Sequence, residues 1–408
     1  MAGVDTSTLD GKVMTGYQGW FNAKGDGARL GWTHWARDKS EPFGPDNITV
    51  DLWPDMSEYG KNERFETEFR RWDGSKAEVF SSHTRETVIR HFEWMRDYGI
   101  DGAFVQRFAR GAMEKRRRHH KNVVLSNARE GANLAGRSYA VMYDLSGLPE
   151  GGTAYVKQDW AMLRSQMRIT QDPAYQRHNG KPLVAVWGIG FSSREKPREY
   201  TLEECRDLIA FLKADGCAVM IGSPTAWRTL ERDAISDPKL HEVLKMADVI
   251  SPWTVGRYKS PETVATHAKR FWAPDIAWTE AEGLDYLPVI FPGFSWHHLK
   301  GTALGQIPRL KGEFFWKQVV EAKRVGAKMI YVAMFDEVDE GTAIFKVTDD
   351  FPKGDGVPFL TYEGMPSDHY LYLTGQAARV LRSEIPLSET LPVRKSPTGR
   401  PAYETNIR

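Results

Sequence analysis

Four carboxylates follow an apolar run in the last quarter of the chain. The stretch MIYVAMFDEVDEGT (329–342) places Asp336, Glu337, Asp339 and Glu340 within five positions, directly after a run of β-branched, aromatic and other apolar residues. Carboxylates repel one another and lose hydration when they are buried, so a hydrophobic core has no use for them. The cluster is therefore a solvated acidic loop, a cation site, or a set of groups that exchange protons with a substrate.

A second acidic stretch, TDDFPKGDG (348–356), supports the cation interpretation, but its carboxylates are not spaced like those of a known metal-binding loop. Neither stretch has the spacing of an EF-hand loop. The two cysteines, Cys205 and Cys217, cannot form a metal cluster and are predicted to be buried free thiols. No Gly-rich phosphate fingerprint follows the first apolar run. The sequence therefore predicts neither a metal ligand set nor a cofactor.

Eight apolar runs have the composition of buried β-strands, and amphipathic helical stretches separate them. The runs are KVMTGYQG (12–19), GAFVQRF (102–108), SYAVMYDL (138–145), PLVAVWGI (182–189), CAVMIGSP (217–224), ADVISPW (247–253), LPVIFPGF (287–294) and KMIYVAMF (328–335). Continuous apolar strands that alternate with helices are typical of a parallel sheet covered on both faces. Eight such units predict an α/β fold, a single (β/α)8 TIM barrel with extended βα loops.

The barrel is predicted to be one domain, because no linker rich in Pro, Gly or Ser divides the chain. We expect residues 1–385 to form the (β/α)8 catalytic domain and residues 386–408 an irregular C-terminal tail. A short run, AEVFSS (77–82), predicts an additional strand within the first long connection.

In a barrel of this class the functional site lies at the carboxyl ends of the strands. Aromatic side chains there can stack on the C–H faces of sugar rings, and carboxylates and amides can bind hydroxyl groups. Cleavage of a glycosidic bond usually needs two carboxyl groups, which the acidic cluster can supply. The pattern predicts a carbohydrate substrate, and the candidate contacts are Tyr17, Gln18, His34, Trp35, Gln106, Asp144, Trp253, Trp296, Asp336 and Asp339.

Charge and hydropathy argue against several other partners. The net charge is +1, so there is no electrostatic reason to expect nucleic acid or an acidic membrane surface. The basic stretch EKRRRHHK (114–121) has no interleaved aromatic residues and is predicted to be a solvated helix face. No apolar run approaches the roughly 18 residues of a membrane span. No coiled-coil or swapped-strand signal indicates an oligomeric state.

The first residues, MAGVDTSTLDGKV, contain no apolar signal core. A cytoplasmic location is expected if Met1 is the native start, and an extracellular or periplasmic location if a signal has been removed.

Several motifs, in chain order, resemble those of glycoside hydrolase family 99, the endo-α-mannosidases and endo-α-1,2-mannanases, and of the related family 71-like proteins. FDEVDEGTAI is the most specific of them and resembles the family's Phe-Asn-Glu-Trp-His-Glu-Gly-Thr. The resemblance covers residues 12–345, through GYQG (16–19), GWTHW (31–35), RHNGKPLVAVWG (177–188), FPGFSW (291–296) and FDEVDEGTAI (335–344).

The resemblance implies that Glu337 and Glu340 are catalytic and that hydrolysis retains the anomeric configuration. Glu337 would take the proton of the sugar 2-hydroxyl, which closes on the anomeric carbon as a 1,2-anhydro sugar. Glu340 would protonate the leaving oxygen and then activate the water that reopens the ring. The implied substrate is an α-linked, mannose-like oligo- or polysaccharide, with endo action. Two neighbouring carboxylates in different surroundings titrate apart, as this chemistry requires.

The chain departs from the family pattern at Asp336, Val338 and Asp339, which replace Asn, Trp and His. We expect Asp336 and Asp339 to orient or tune the two glutamates, and the added negative charge to raise the pKa of the acid. Two alternatives stay open at this point. One is a glycosidase of another specificity, for xylose, arabinose or glucose, and the other is a non-catalytic glycan-binding barrel.

Overall fold

A ring of eight parallel strand positions forms the centre of the structure, a computed structural model that describes residues 3–192 and 198–394. The strands are β1 (Val13–Tyr17), β2 (Gly102–Phe108), β3 (Ser138–Asp144), β4 (Lys181–Trp187), β5 (Ala218–Ser223), β6 (Val249–Pro252), β7 (Asp285–Tyr286 and Val289–Ile290) and β8 (Ile330–Val332). β1 pairs in parallel with both β2 and β8. The first piece of β7 pairs with β6 and its second piece with β8, which closes the ring. The predicted barrel is confirmed.

One helix follows each strand along the described chain. The helices are α1 (Arg85–Tyr98), α2 (Lys115–Ala135), α3 (Thr153–Ser165), α4 (Leu202–Ala214), α5 (Lys239–Leu244), α6 (Pro261–His267, continued by Ala268–Trp272 and Ala273–Ala281), α7 (Glu313–Arg324) and α8 (His369–Leu381). Shorter helical turns are Lys61–Glu63, Ala109–Ala112, Ile169–Gln171, His297–Lys300 and Leu310–Gly312. Strand and helix therefore alternate along the chain, as the sequence predicted, and the last helix contacts β1.

Local sequence signals account for several helix boundaries. Thr201 and Glu204 form the predicted capping box at the start of α4, in which each side chain bonds the backbone N–H of the other residue. α1 ends at Gly99, whose φ of 75° is left-handed and favours glycine. Along α1 the predicted apolar face is buried against the barrel, and Val88 and Phe92 have no exposed surface. Burial of such a side chain stabilises the fold by about 1.5–3 kcal/mol.

The long connection between β1 and α1 packs over the carboxyl end of the barrel. It contains an antiparallel hairpin of Phe65–Arg70 with Lys76–Val79, whose second strand confirms the short strand predicted at 77–82. Isolated bridges pair Leu52 with Leu360 and Pro54 with Val347, so this connection contacts the segment that follows β8. The two ends of the barrel sequence are thereby brought together at one face.

Other features of the described residues bear on the remaining predictions. Residues 386–394 form neither helix nor strand, and residues 395–408 lie outside the described part, so the domain boundary at 385 stays a prediction. Cys205 and Cys217 are buried free thiols, as predicted, and burial raises the pKa of each to about 12. None of the described helices is both long and apolar enough to cross a membrane.

Candidate active site

The acidic loop follows β8 at the carboxyl end of the barrel and is held in place by its backbone. The carbonyl of Glu337 accepts the N–H of Ala343 at 2.7 Å, and the carbonyl of Glu340 accepts the N–H of Ser295 at 2.9 Å. Within the loop, Asp336 and Glu337 have 0% exposed surface and Asp339 has 3%. The solvated-loop interpretation is therefore wrong, because these carboxylates are removed from water and their backbone is anchored.

A buried arginine from the connection between β7 and α7 supports the same loop. Arg309 donates to the carbonyls of Gly341 at 2.9 Å and Ala343 at 2.7 Å, and its guanidinium lies over the rings of Tyr362 and Tyr370. Carbonyl acceptors and aromatic faces suit a planar cation. Arg309 thus fixes the backbone of the loop that carries the carboxylates.

Asp336 is a structural residue, and its predicted role in substrate binding is wrong. One carboxylate oxygen accepts the backbone N–H of Gln18 at 2.8 Å and the other that of Gly19 at 2.9 Å. Burial raises the pKa of Asp336 to about 7, and the two N–H donors oppose that rise. Both oxygens are engaged, so Asp336 ties the end of β1 to the loop after β8.

Glu337 is oriented by two donors, one from each side of the site. Its Oε2 accepts the side-chain N–H of Gln18 at 2.7 Å, and its Oε1 accepts the backbone N–H of Asp339 at 3.3 Å. The side-chain Oε1 of Gln18 has no partner among the described residues. Gln18 therefore holds the carboxylate with its N–H and presents a buried acceptor to a ligand.

Glu340 is half-buried and borders the cleft. Burial raises its pKa to about 7, the negative charge of Asp339 adds to the rise, and the indole of Trp296 opposes it. A carboxyl group with a pKa near neutrality is populated both as an acid and as a base. The contribution of Asp339 has the direction that the sequence predicted.

Asp339 and His34 form a hydrogen bond across the site. Nδ1 of His34 lies 2.9 Å from Oδ2 of Asp339, and the imidazole stacks on the indole of Trp20 with ring centroids 3.7 Å apart. The other carboxylate oxygen of Asp339 has no partner among the described residues. The GWTHW segment thus reaches the acidic loop through His34.

The cleft has two lobes that share Trp187, Trp253 and Glu340. The smaller one, which we call the Gln18 lobe, has a volume of about 220 Å³ and is lined by Gln18, Trp20, Gln106, Phe108, Met142, Asp144, Ser146, Trp187, Trp253, Tyr331, Met334 and Glu340. The larger, the Trp296 lobe, has a volume of about 380 Å³ and is lined by Trp187, Phe191, Trp253, Val255, Gly256, Arg257, Lys259, Phe294, Trp296, Gln306, Ile307 and Glu340. Glu340 lies where the two lobes meet.

The structure brings together Gln18, Gln106, Asp144, Trp253 and Trp296, which were predicted from their places at strand ends. Trp20, Phe108 and Trp187 line the Gln18 lobe but are not among the predicted contacts. Trp20 lies two positions after Gln18, and Phe108 and Trp187 are the last residues of β2 and β4. Their proximity to strand ends was therefore a signal that could have found them.

Tyr17 and Trp35 line neither lobe, which corrects their predicted roles in substrate binding. Tyr17 is fully buried on the helix side of β1, and its hydroxyl bonds Nδ1 of His91 on α1 at 2.8 Å. Trp35 is fully buried between Phe21 and Phe80, with ring centroids 4.7 Å and 5.2 Å away. Both side chains belong to the core because their neighbours come from distant segments.

In the described part of the chain, no group of three or more His, Cys, Asp or Glu side chains is arranged to hold a metal ion. In the second acidic stretch, Asp349 accepts the backbone N–H groups of Tyr362 and Gly364, at 2.8 Å and 2.9 Å. Asp355 accepts the backbone N–H of Arg70 at 2.8 Å. These carboxylates tie loops together.

No protein-family model matches the chain, and no curated protein matches it by sequence. Solved structures match it over most of its length. The structure of the GH99 endo-α-mannosidase from Bacteroides thetaiotaomicron with bis-tris propane has a TM-score of 0.66 and 18% identity, and the match covers 92% of this chain and 99% of that one. Another structure of a GH99 endo-α-mannosidase from the same organism has a TM-score of 0.63 with the same identity and coverage. The chain has the fold of a family 99 endo-α-mannosidase.

A glycoside hydrolase-like protein shares the fold more distantly. Its TM-score is 0.53 at 13% identity, and the match covers 83% of this chain and 96% of that one. At the level of the fold, the resemblance to family 99 is confirmed.

Proposed function

We propose that the protein is a retaining, endo-acting glycoside hydrolase that cleaves an α-linked, mannose-like oligo- or polysaccharide. The observation that carries the proposal is the position of Glu340 at the junction of two lobes, with Glu337 held by Gln18 beside one of them. An endo-acting enzyme must hold sugar units on both sides of the bond that it breaks. A general acid at the boundary between two binding lobes meets that requirement.

The Gln18 lobe binds the sugar whose anomeric carbon reacts. Gln18 lines this lobe and donates to the buried Glu337, and we place the 2-hydroxyl of the bound sugar on the side of that carboxylate. One buried acceptor of the lobe, Oε1 of Gln18, has no partner among the described residues. An unpaired buried acceptor costs about 1–3 kcal/mol, which a sugar hydroxyl would recover by donating to it.

The first step forms a bond between the 2-oxygen and the anomeric carbon. Glu337 accepts the proton of the 2-hydroxyl while that oxygen attacks the anomeric carbon, and the bond to the leaving oxygen breaks. Glu340 gives its proton to the leaving oxygen, so the leaving sugar departs into the Trp296 lobe with a free hydroxyl group. The Glu337 and Glu340 carboxyls exchange protonation states, and the product is a 1,2-anhydro sugar.

The second step reverses the roles of the two carboxyl groups. Glu340, now ionised, takes a proton from water as the water oxygen attacks the anomeric carbon. The bond between the 2-oxygen and the anomeric carbon breaks, and Glu337 returns its proton to the 2-oxygen. Two displacements at the same carbon leave its configuration unchanged. A pKa near 7 allows Glu340 to serve first as acid and then as base.

The choice of a mannose-like substrate rests on the family resemblance and on the shared fold. The two best-matching structures described above are GH99 endo-α-mannosidases, and FDEVDEGTAI aligns its glutamates with those of the family motif. The Asp336 substitution has a structural explanation, because it binds two backbone N–H groups. That removes one motive for a non-catalytic barrel.

The test is hydrolysis of a panel of α-linked manno-, gluco- and pentose oligosaccharides, with products followed by mass spectrometry and anomeric configuration by proton NMR. Glu337→Gln and Glu340→Gln are assayed in parallel, and Asp350→Asn, an exposed aspartate, is the matched control. Product of retained configuration that is lost in both glutamine variants and kept in the control supports the proposal. Full activity in either glutamine variant overturns the assignment, and binding without product indicates a glycan-binding barrel.

A further inference from the structure

Buried and half-buried arginines in this chain usually have a carboxylate partner. Arg107 pairs with Asp159 at 2.6 Å, Arg228 with Asp275 at 2.8 Å and Arg90 with Glu63 at 2.7 Å. Two half-buried cations beside the Gln18 lobe differ from this pattern. Lys121 and Arg198 form no ion pair with any carboxylate of the described residues, although they lie close to the proposed reacting sugar.

Lys121 is the last residue of the basic stretch 114–121, which is not solvated throughout, because His120 is buried and Arg118 is half-buried. Lys115, Arg116 and Arg117 are exposed, as expected of a solvated helix face, whereas Lys121 is half-buried. Its Nζ lies 5.5 Å from the ring centroid of Phe108, which lines the Gln18 lobe. Burial lowers the pKa of Lys121 to about 7, so the ammonium lacks the stabilisation that a partner would give.

Arg198 approaches the same lobe from the connection after β4. Its guanidinium donates to the hydroxyl of Ser146 at 3.1 Å and lies 5.6 Å from the ring centroid of Trp187. Ser146 and Trp187 both line the Gln18 lobe. Arg198 is therefore held by neutral contacts at the wall of the lobe.

Asp144 lies between these cations without bonding to either. Its carboxylate accepts the backbone N–H of Ser146 at 2.7 Å, and the charges of Arg198 and Lys121 both oppose the rise that burial causes in its pKa. Both cations are thus near enough to affect Asp144, but neither is within the 4.0 Å of an ion pair. Neither cation lines the lobe itself, and Arg198 borders a neighbouring cavity, but each contacts a residue of the lobe's wall, Phe108 or Ser146. An anionic substituent at that wall would lie near their charges, and the ring hydroxyls of the sugar would lie near the carboxylate of Asp144.

We propose that the Gln18 lobe binds a sugar that carries an anionic substituent, and that Lys121 and Arg198 recognise its charge. The inference rests on the proposed function for the placement of the reacting sugar, and it narrows the substrate class. The shared chemistry is that of a carboxylate, a sulfate ester or a phosphate ester on the ring. A neutral sugar would leave Lys121 without an ion-pair partner, whereas an anionic substituent would stabilise its charged form.

The first experiment compares kcat/KM for matched α-linked oligosaccharides that differ only in the substituent: neutral, uronate, 6-sulfate and 6-phosphate. We expect at least one charged series to exceed the neutral one by roughly 10-fold or more, because hydrogen bonds to charged groups are about twice as strong as neutral ones. The charged series that is preferred distinguishes a carboxylate from the two esters. The preference should weaken as salt is added, to the extent that the lobe is open to solvent.

Variants assign the preference to the two cations. Lys121→Met and Arg198→Gln should each lower the charged-to-neutral ratio by roughly 10-fold, and Lys121→Arg should retain most of it. Lys115→Met removes an exposed lysine from the same helix and should leave the ratio unchanged. Thermal unfolding of each variant identifies any that fails to fold, in which case the other variant decides.

Calorimetry on Glu340→Gln, alone and combined with Lys121→Met, separates the two proposals. Equal hydrolysis of neutral and charged substrates, with a ratio unaffected by either cation variant, overturns the inference and leaves the proposed function standing. Absence of hydrolysis by the unmodified protein, together with charged-ligand binding that Lys121→Met weakens, overturns the proposed function and supports the inference. If the protein neither hydrolyses nor binds any charged oligosaccharide, both proposals are overturned.

Discussion

The two lobes of the cleft are built differently. In the Gln18 lobe the polar side chains are held by hydrogen bonds: Gln18 donates to Glu337, Asp144 accepts the backbone N–H of Ser146, and Gln106 donates to Tyr331 at 3.2 Å. Among the described residues, Oε1 of Gln18 keeps no partner. The Trp296 lobe is larger. It shares Trp187 and Trp253 with the Gln18 lobe and adds Phe191, Phe294 and Trp296, together with the polar Arg257, Lys259 and Gln306. Phe294 and Trp296 pack edge to face with ring centroids 4.9 Å apart.

The difference indicates that one lobe orients the reacting sugar and that the other binds the leaving group. Groups whose rotamers are held by hydrogen bonds can orient one sugar against the reacting carboxylates, which proton transfer requires. Aromatic faces bind apolar ring surfaces and depend little on the pattern of hydroxyls. We therefore expect strict selection of the sugar in the Gln18 lobe and tolerance of the leaving group in the Trp296 lobe.

The largest expected effect separates the roles of the two glutamates. Glu337→Gln and Glu340→Gln should each lower kcat on an oligosaccharide by roughly 10²- to 10⁴-fold, the range for loss of general acid–base catalysis. With an activated aryl leaving group, which needs no protonation, Glu340→Gln should recover much of its first-step rate and Glu337→Gln should not. The measurement is pre-steady-state release of the aryl group. Equal recovery in both variants would contradict the assigned roles.

A smaller effect distinguishes the lobes themselves. Gln18→Leu removes the donor to Glu337, so kcat should fall by roughly 10-fold or more as the carboxylate loses its orientation. Trp296→Ala removes an aromatic face from the leaving-group side and should raise KM by several-fold, about the 0.5–1.5 kcal/mol of one aromatic contact. Steady-state kinetics on one substrate measures both. The comparison of lobes fails if the two variants change the same kinetic parameter.

The next effect concerns pH. Activity requires protonated Glu340, so it should be lost as pH rises through the pKa of that group, which is about 7. Asp339→Asn removes a negative charge that raises this pKa, so the alkaline limb of kcat/KM should move to lower pH. The profile of kcat/KM against pH for the variant, with Asp350→Asn as the control, gives the shift. A limb that moves to higher pH would contradict the role of Asp339.

The smallest effect on catalysis is expected outside both lobes. Tyr17→Phe removes the hydrogen bond to His91 in the core, which should lower the free energy of unfolding by about 1–3 kcal/mol. The kcat/KM values should stay unchanged, because the side chain is buried on the helix side of β1. Denaturant unfolding and steady-state kinetics test the two statements. A change in kcat/KM without loss of stability would return Tyr17 to the site.

Most of the fold could be predicted because its signals are local. Each of the eight predicted apolar runs overlaps a barrel strand, and Gly99, which ends α1, has the left-handed backbone that favours glycine. The positions of Gln106, Asp144 and Trp253 at the cleft followed from the rule that the carboxyl ends of parallel strands share one edge. That rule places residues at an edge but does not say which way each side chain faces.

The sequence by itself determined the number and order of the strands and the approach of the acidic loop to the ends of β1, β2 and β3. Periodicity and turn residues act over a few positions, so these features need no knowledge of distant contacts. Only the tertiary structure decided that Tyr17 and Trp35 belong to the core and that Asp336 is a structural tie. His91, Phe80 and the backbone of Gln18 determine these roles, and each lies tens to hundreds of positions away along the chain. The division of the cleft at Glu340 likewise depends on loops that follow separate strands, whose packing no local pattern encodes.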